Sequence, residues 1–503
     1  MNGKTDVNKI PEVLLPRLSE YLTAKIGLHF TKKRWNELHS KMAAAMIDFG
    51  FANVGEFIEW FLSLSSPTQK QIEILASHLT VGETYFFRER KAFEILEQSL
   101  LPGLLDARRR GEKRLRFWSA GCSTGEEPYS IAILLDKMIP DLKDWNITIL
   151  ATDINTAALR KADEGIYSDW SFRDAPPFFK DKYFEKVNGN RYLLRPDIRK
   201  MVTFFYLNLS EDVYPALQNN TNAMDFIFCR NVLMYFSPEH VKRAAERFYR
   251  SLIDGGCLIV SPVETSQIHY ASFATVRIQD ATFYKKDTRK IKPERIIAQY
   301  VEKEIIPYPF PSKKVKHSKP ETPSHLAPYN VSGKPKQLVL TPLEEAAILY
   351  REGFYPEAED RLKVLISNGS SSQEMLVLFT KILANQGKLE DAFHWCKKAV
   401  SADKCDPTLH YLLAIILEEQ KKGEAAKVSL KKALYLDHNF VLAHFALANL
   451  SLRGGKIAEA RKHFGNTSEI LAKYKPDVIL PESAGITVGR LSEMIGAVRL
   501  EEM

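Results

Sequence analysis

The sequence predicts a multidomain protein with an all-α N-terminal domain, a central α/β domain and a C-terminal α-helical repeat array. Three observations predict this organisation. Apolar residues recur every three or four positions over the first ~90 residues, and short apolar runs then alternate with helical segments from about 115 to 285. Beyond that region, small residues recur every 34 positions. A chain of 503 residues is also too long for a single hydrophobic core.

The N-terminal domain is predicted to span residues 1–90 and to be built from helices. VLLPRLSEYLTAKIGL, RWNELHSKMAAAMIDFG and VGEFIEWFLSL each place apolar residues at helical intervals, and Gly50 fits a helix end. The central domain is predicted to span residues 91–286. Its apolar runs, such as NITILATDI and GGCLIVSP, alternate with helical segments, which predicts a mostly parallel sheet with helices on both faces. The ligand of such a domain should lie at the carboxyl ends of the strands.

Residues 287–340 are rich in proline and lysine, and we predict an extended linker there. Residues 341–475 form the repeat array, and residues 476–503 a C-terminal tail. Three series of residues in phase at a spacing of 34 predict tetratricopeptide (TPR) repeats, with a plain helical bundle as the alternative. Such arrays present a concave surface to proteins or peptides. The series are Ala346, Thr380, Ala414 and Ala448; Ala358, Ala392, Ala426 and Ala460; and Leu365, Ala399, Ala433 and Thr467.

Composition narrows the class of protein. The chain is 45% apolar and 26% charged with a formal net charge of +8, which is ordinary for a globular protein and does not favour a nucleic-acid binder. The five cysteines are scattered without metal-ligand spacing, which indicates reduced thiols and no metal site. The N-terminus lacks a signal-peptide pattern, and no run of eighteen apolar residues is present, so we expect a cytoplasmic protein without membrane insertion.

The segment Trp118–Ile131, WSAGCSTGEEPYSI, carries the strongest ligand signal. A strand ends, a small-residue loop follows, and a helix begins near Glu126. The loop matches neither the phosphate-binding loop nor the dinucleotide pattern of three spaced glycines. Two acids at the helix start, Glu126 and Glu127, favour a cationic ligand such as an amino acid with a sulfonium group, although helix capping is the alternative.

Further polar residues follow the ends of other predicted strands. Asp153 ends ILATD, where an acid in a doubly wound fold accepts hydrogen bonds from ribose hydroxyls, or alternatively caps the next helix. Asn208 and Leu209 end another strand, and Arg230 and Asn231 follow IFC. A charged Arg230 is costly to bury beside a central strand unless it reaches a pocket or an acidic partner, which favours a site.

Five segments in this order, TYFFRE, FWSAGCSTGEEPYSIA, ATDIN, YLNL and FCRNVLMYF, resemble the CheR family of chemotaxis receptor methyltransferases. The resemblance covers the chain from the N-terminal helices to about Lys286. It implies an α-helical domain joined to a Rossmann-like methyltransferase domain, with a small β-subdomain inserted near residues 166–205. The implied activity is transfer of a methyl group from S-adenosyl-L-methionine to receptor glutamates, which releases S-adenosyl-L-homocysteine. The implied substrates are cytoplasmic helices of methyl-accepting chemoreceptors, and the TPR array would bind a further protein or peptide.

The resemblance also implies roles for individual residues. Thr84 and Arg88 would contact the cofactor, with Arg88 also catalytic beside Tyr235. The other cofactor-binding residues would be Glu127, with Glu126 as the less favoured choice, and Asp153, Asn208, Leu209, Arg230 and Asn231. The family often has Asn where this chain has Gly82, which puts one cofactor contact in doubt. No metal is required for this chemistry.

Two other functions are compatible with these patterns. One is a degenerate, S-adenosylmethionine-sensing or receptor-docking TPR scaffold, against which the joint presence of Arg88, Asp153, Arg230, Asn231 and Tyr235 argues. The other is a small-molecule methyltransferase, which would need neither the repeats nor the N-terminal helices.

Overall fold

The computed structural model describes residues 10–64, 67–290, 292–302, 340–369, 371–483 and 485–496. These residues form two compact units. The first contains residues 1–290 together with 441–503, and the second contains residues 291–440.

The chain begins with four helices: α1 (Leu14–Ile26), α2 (Trp35–Asp48), α3 (Val54–Ser63) and α4 (Gln69–Leu79). Their apolar faces meet in one core, in which Leu18, Leu38, Met42, Phe57 and Phe61 are fully buried. The predicted helical pattern arises from this burial, because each helix turns one apolar stripe inward. Asn53 caps α3 through its side-chain oxygen, and Gly27 ends α1 in the left-handed conformation.

The central domain alternates strands and helices, as predicted. Its N-terminal helical run is α5 (Arg90–Ile95), a π-helical turn (Leu96–Leu100) and α6 (Leu101–Arg109). The elements that follow are β1 (Arg114–Ala120), α7 (Glu126–Met138), β2 (Asn146–Asp153), α8 (Thr156–Glu164), β3 (Ile166–Ser168), α9 (Pro177–Tyr183), β4 (Phe184–Lys186), β5 (Arg191–Leu194), α10 (Pro196–Arg199), β6 (Val202–Tyr206), β7 (Met224–Phe228), α11 (Pro238–Ser251), β8 (Leu252–Ile259), β9 (Ala274–Ile278) and β10 (Ala281–Lys285).

Seven of these strands form one sheet in the order β6-β2-β1-β7-β8-β10-β9. The pairs from β6 to β8 are parallel, and β10 pairs antiparallel with both β8 and β9. The strand order reverses direction at β1, which places a topological switch point beside its carboxyl end. This mixed, Rossmann-like sheet confirms the predicted fold of the central domain.

A small antiparallel sheet, in the order β3-β5-β4, is inserted between α8 and β6. Its aromatic side chains form a cluster that receives Phe86 from the segment before α5. The Phe86 ring stacks on Phe172 at a centroid distance of 5.3 Å and meets the edge of Tyr167 at 4.9 Å. Aromatic pairs at these distances contribute beyond their buried area, so the cluster anchors the segment around Phe86.

The second unit contains α12 (Pro293–Glu302), α13 (Pro342–Arg351), α14 (Tyr355–Ser367), α15 (Gln373–Asn385), α16 (Leu389–Ala402), α17 (Pro407–Glu419) and α18 (Gly423–Leu436). Helices α13 to α18 form three consecutive pairs with the 34-residue spacing of the sequence. The small residues of the predicted series are buried where paired helices approach closely, as Ala358, Ala392 and Ala426 show with 0% exposure.

Helix α12 corrects the predicted linker. The composition of residues 287–340 predicts an extended segment, but Pro293–Glu302 is helical and packs against α13. Pro293 occupies the first helical position, which proline tolerates, and the apolar residues that follow have helical spacing. Residues 303–339 of the predicted linker lie outside the described residues.

The first unit also contains the C-terminal helices α19 (Val441–Arg453), α20 (Ile457–Leu471) and α21 (Val488–Gly496). The predicted tail therefore contains a helix, and α21 packs against both α20 and α4. Leu480, Val488 and Leu491 of this segment are buried, and the Arg490 guanidinium lies 3.9 Å from the ring centroid of Tyr206. Within the described part of the chain, no helix combines the length and apolar character needed to cross a membrane.

Candidate active site

A cavity of about 1080 Å³, counting its open mouth, lies at the carboxyl ends of β1, β2, β6 and β7. One wall comes from the N-terminal helical region, including Ile26, Phe30 and Leu79. The opposite wall comes from the loops that follow the parallel strands. The cavity therefore occupies the position expected for the ligand of a doubly wound sheet.

The loop after β1 turns sharply beneath the cavity. Gly121 and Gly125 have φ values of 81° and 92°, and Ser123 has a φ of 50°. The backbone N–H groups of Gly121 and Cys122 both donate to the Thr152 carbonyl, at 2.7 and 2.9 Å. A β-carbon on Gly121 would lie 2.4 Å from Cγ2 of Val232, so only glycine allows this loop to approach the loop after β7 so closely.

The two acids at the start of α7 have different environments. Glu127 lines the cavity, and its carboxylate accepts hydrogen bonds from the Ser119 hydroxyl at 2.7 Å and from Arg230 Nη1 at 3.1 Å. Glu126 is buried and accepts from the hydroxyls of Thr124 and Ser171, at 2.7 and 2.9 Å. Glu126 therefore ties the loop to the inserted subdomain, which leaves Glu127 as the acid that faces the ligand.

Asp153 ends β2 and lines the cavity. One carboxylate oxygen accepts from the Ser123 N–H and the other from the Asn155 N–H, both at 2.8 Å. The same carboxylate thus fixes the loop after β1 and the start of α8. Each oxygen keeps a lone pair that a ribose hydroxyl could use. The alternative role predicted for Asp153, capping the next helix, belongs to Asn155 instead, because the Asn155 side chain caps α8.

The segment before α5 brings Thr84 and Arg88 to the cavity. Phe86 is fully buried, Phe87 packs against the same core, and the segment is not helical. Instead, Phe87 and Glu89 adopt left-handed conformations with φ values of 56° and 54°. Arg88 Nη1 donates to the Glu83 carbonyl at 2.7 Å, which directs the guanidinium along the cavity wall.

Arg230 follows β7, and its side chain is 2% exposed. Besides Glu127, its guanidinium contacts Glu89, at 3.0 Å from Nη2, and the Arg88 carbonyl. The buried charge thus has the acidic partners that the sequence argument required.

Asn208 and Leu209 line the cavity beyond the end of β6. The Asn208 side chain donates to the Lys25 carbonyl of α1 at 2.9 Å and to Glu211 at 3.0 Å. Its amide is therefore engaged in holding the N-terminal region against the sheet. A ligand would meet this residue mainly through its backbone.

The loop after Arg230 carries Asn231 and Tyr235 into the cavity wall. Glu264 holds this loop, because its carboxylate accepts from the N–H groups of Asn231, Val232 and Met234 at 2.8, 2.8 and 3.1 Å. Sequence reasoning missed Glu264, which lies in a distant loop without a motif. Arg34 also lines the cavity, and its guanidinium lies 5.3 Å from the centroid of the Tyr235 ring.

All nine predicted site residues lie around this one cavity. Gly82 also lines it, and a β-carbon there would have only the Ser123 hydroxyl within 4 Å, at 3.8 Å. The space for a longer side chain is therefore present at the position where the family often has Asn. Cys122 lines the cavity too, and burial raises its thiol pKa well above the ordinary value, which disfavours a nucleophilic thiolate.

The donor set fits an S-adenosyl amino acid. Two partly buried carboxylates, Glu127 and Asp153, match an ammonium group and ribose hydroxyls, and apolar side chains such as Leu28 and Phe236 match an uncharged ring. No side chain needs to move to expose either carboxylate to the cavity.

Comparison with known proteins finds similar methyltransferases and TPR proteins. A family model described as "CheR methyltransferase, SAM binding domain" matches residues 82–281. A chemotaxis protein methyltransferase of Borreliella burgdorferi is 33% identical over 50% of this chain and 87% of its own length. The "probable biofilm formation methyltransferase WspC" of Pseudomonas aeruginosa is 26% identical over 87% of this chain and 94% of its own. A thermophilic TPR protein of Thermus thermophilus covers 26% of this chain and 73% of its own, at 21% identity and a TM-score of 0.24.

The sheet, the acidic strand ends and the matched domain define an S-adenosylmethionine-dependent methyltransferase. Its extra parts, the N-terminal helices and the C-terminal helix pairs, lie outside the matched segment. The chain belongs to the CheR methyltransferase family.

Proposed function

We propose that the protein transfers the methyl group of S-adenosyl-L-methionine to glutamate side chains of methyl-accepting chemoreceptors or related signalling proteins, with S-adenosyl-L-homocysteine as the second product. One observation carries the proposal: Arg88 and Tyr235 line the same cavity as the carboxylates of Glu127 and Asp153. The cavity can therefore bring an acidic acceptor next to a cationic donor. The names of the chemotaxis and WspC relatives support the same substrate class.

Most of the proposed donor contacts lie in the loops that follow the parallel strands. Glu127 would bind the ammonium group and Asp153 the ribose hydroxyls. Asn208 and Leu209 would border the adenine, with Thr84, Arg230 and Asn231 beside the methionine part. The bound donor supplies an electrophilic methyl group on a sulfonium.

The acceptor needs little activation. A glutamate side chain has an ordinary pKa near 4.3, so it is ionised at neutral pH and requires no general base. Arg88 can orient this carboxylate through two parallel hydrogen bonds. The Tyr235 hydroxyl can donate a third, or the ring can pack against the sulfonium. Apolar side chains of the N-terminal wall, such as Phe30, limit water around the acceptor, so positioning supplies most of the rate enhancement.

We further propose that the substrate is a cytoplasmic helical segment of a receptor and that the TPR helices bind a separate protein or peptide. The pairs α13–α14, α15–α16 and α17–α18 supply such a surface in the second unit. Separate sites for the receptor substrate and for the second partner fit a protein that acts in the cytoplasm on membrane-bound partners without entering the membrane.

The test is to incubate the full chain with S-adenosylmethionine labelled in the methyl group and with membranes that contain candidate receptors. We expect label on the receptor that mild alkali releases as methanol, because carboxyl methyl esters hydrolyse readily. Receptors with the acceptor glutamates replaced by alanine are the control and should stay unlabelled. Label that resists mild alkali would exclude a carboxyl ester.

Donor affinity should fall as the pH decreases. Burial raises the pKa of Glu127 above its ordinary value of 4.5 and also raises the pKa of Asp153. Glu127 must be ionised to bind the ammonium group, and Asp153 accepts ribose hydroxyls most strongly when ionised, so protonation begins to oppose binding at a higher pH than it would for exposed carboxyls. Titration calorimetry at successively lower pH, starting at about pH 8, should show affinity for S-adenosylmethionine declining before the pH reaches the ordinary pKa of a glutamate. A constant affinity down to pH 4.5 would contradict the assignment of these two carboxylates.

A further inference from the structure

Glu89 and Glu127 approach Arg230 from two sides. Arg230 Nη1 lies 3.1 Å from Glu127 Oε2, and Nη2 lies 3.0 Å from Glu89 Oε2. Glu127 and Arg230 line the cavity, whereas Glu89 is not among the lining residues. Glu89 therefore contacts Arg230 without lining the cavity itself.

The backbone of Glu89 is held in an unfavourable conformation. Its φ of 54° is in the left-handed region, which costs a glutamate about 1 kcal/mol or more. The surrounding contacts hold it there: the Phe87 N–H donates to the Ser130 hydroxyl at 3.0 Å, and Arg230 bonds both the Arg88 carbonyl and the Glu89 carboxylate. Backbone strain that neighbouring contacts maintain is typical of functional segments.

The arrangement has a consequence for charge. Arg230 and Glu127 alone would form a neutral pair, and the carboxylate that faces the ligand would be largely cancelled. With Glu89 on the other side of Arg230, the three groups together carry one excess negative charge. Glu127 is the carboxylate that faces the ligand, because Glu89 lies on the other side of the guanidinium. The excess negative charge therefore acts on the ligand at Glu127.

The proposed methyl donor and its demethylated product differ in net charge. S-adenosylmethionine carries an ammonium, a sulfonium and a carboxylate, so its net charge at neutral pH is positive. S-adenosylhomocysteine has lost the sulfonium charge and is neutral overall. An excess negative charge at the site favours the donor over the product, and the interaction between unit charges inside a protein is large enough to matter over several ångströms.

We propose that Glu89 is a positioning residue that shares Arg230 with Glu127 and so keeps the guanidinium from neutralising Glu127 alone, which raises the affinity of the site for the methyl donor relative to the demethylated product. This inference rests on the proposed S-adenosylmethionine-dependent function. It assigns Glu89 a role in donor binding and product release, distinct from the role of any residue that touches the ligand.

The test measures the affinity of the full chain for donor and product separately by titration calorimetry. For Glu89→Gln we expect the Kd for S-adenosylmethionine to rise about tenfold and the Kd for S-adenosylhomocysteine to rise less than about threefold. Glu89→Asp keeps the charge and should keep the ratio of the two constants near that of the unmodified protein. A purely structural role would weaken both ligands equally.

Two further variants complete the design. Glu89→Gly removes the same charge while accepting the left-handed backbone, so it provides a second neutral variant if Glu89→Gln does not fold. Glu94→Gln is the matched control, because Glu94 pairs with the exposed Arg90 at 3.0 Å, away from the cavity. The inference is overturned if the donor-to-product ratio is unchanged in the neutral variant that folds. If the unmodified protein binds neither nucleoside, the proposed function fails instead.

Discussion

Replacing Arg88 with alanine should reduce kcat/KM for methyl transfer by about 100-fold, with a smaller change in donor affinity. Arg88 is the only arginine of the TYFFRE segment, and it lines the same cavity as the proposed donor-binding residues. Without it, the acceptor carboxylate loses its bidentate partner and samples unproductive orientations. Arg88→Lys should recover only part of the rate, because an ammonium group cannot form two parallel hydrogen bonds in a plane.

Arg90→Ala is the matched control for this prediction. Arg90 is two positions away, its side chain is 60% exposed, and it pairs with Glu94 rather than with the cavity. Its removal should leave the transfer rate within about twofold, because an exposed ion pair contributes little. A rate for Arg88→Ala equal to that of Arg90→Ala would show that the acceptor is oriented by another group.

Replacing Gly121 with alanine should lower the thermal unfolding midpoint by roughly 5–10 °C and abolish measurable donor binding. The residue has a φ of 81°, and its new β-carbon would lie 2.4 Å from Cγ2 and 3.3 Å from Cγ1 of Val232. Left-handed strain and overpacking together cost on the order of 3 kcal/mol. Relief of the clash would displace the loop that Asp153 fixes.

Two further variants separate the contribution of left-handed strain from that of the clash with Val232. Gly189 has a φ of 66°, and a β-carbon added there would have nothing within 4 Å, so Gly189→Ala carries the conformational cost alone and should lower the midpoint by only a few degrees. Combining Gly121→Ala with Val232→Ala should recover part of the lost stability. An unfolding midpoint for Gly121→Ala equal to that of Gly189→Ala would show that the clash is absorbed without cost.

The architecture could be predicted because each part has its own period in the sequence. The helical stripes, the short apolar runs and the 34-residue spacing all indicate burial patterns that the structure contains. The candidate site residues could be named because each lies at a strand end or in a continuous segment. Asp153 and Arg230 are examples, since each follows an apolar strand that places it at the edge of the sheet.

The features of the fold and site that could not be predicted depend on contacts between distant segments of the chain. Glu264 caps the loop of Asn231 from 33 residues away, and Glu89 reaches Arg230 from 141 residues away, so neither pairing leaves a local pattern. The non-helical course of TYFFRE is set by the aromatic cluster of the inserted sheet rather than by the propensity of the segment. Helix α21 does have an apolar pattern, but its burial depends on α4 and Tyr206, which the fold brings beside it from distant parts of the chain.

The C-terminal helices belong to the first compact unit, and this affects how the function of the repeats can be tested by truncation. Besides the Arg490 contact, the Gln218 side chain donates to the Glu482 carbonyl at 2.6 Å, which fastens the far end of the chain to the catalytic body. A protein cut short before the repeats would therefore expose an apolar surface on the methyltransferase part as well as lose the repeat helices. Loss of activity in such a fragment could come from a destabilised active site or from loss of partner binding by the repeats. Single substitutions on α15 and α17 therefore test the proposed role of the repeats more directly.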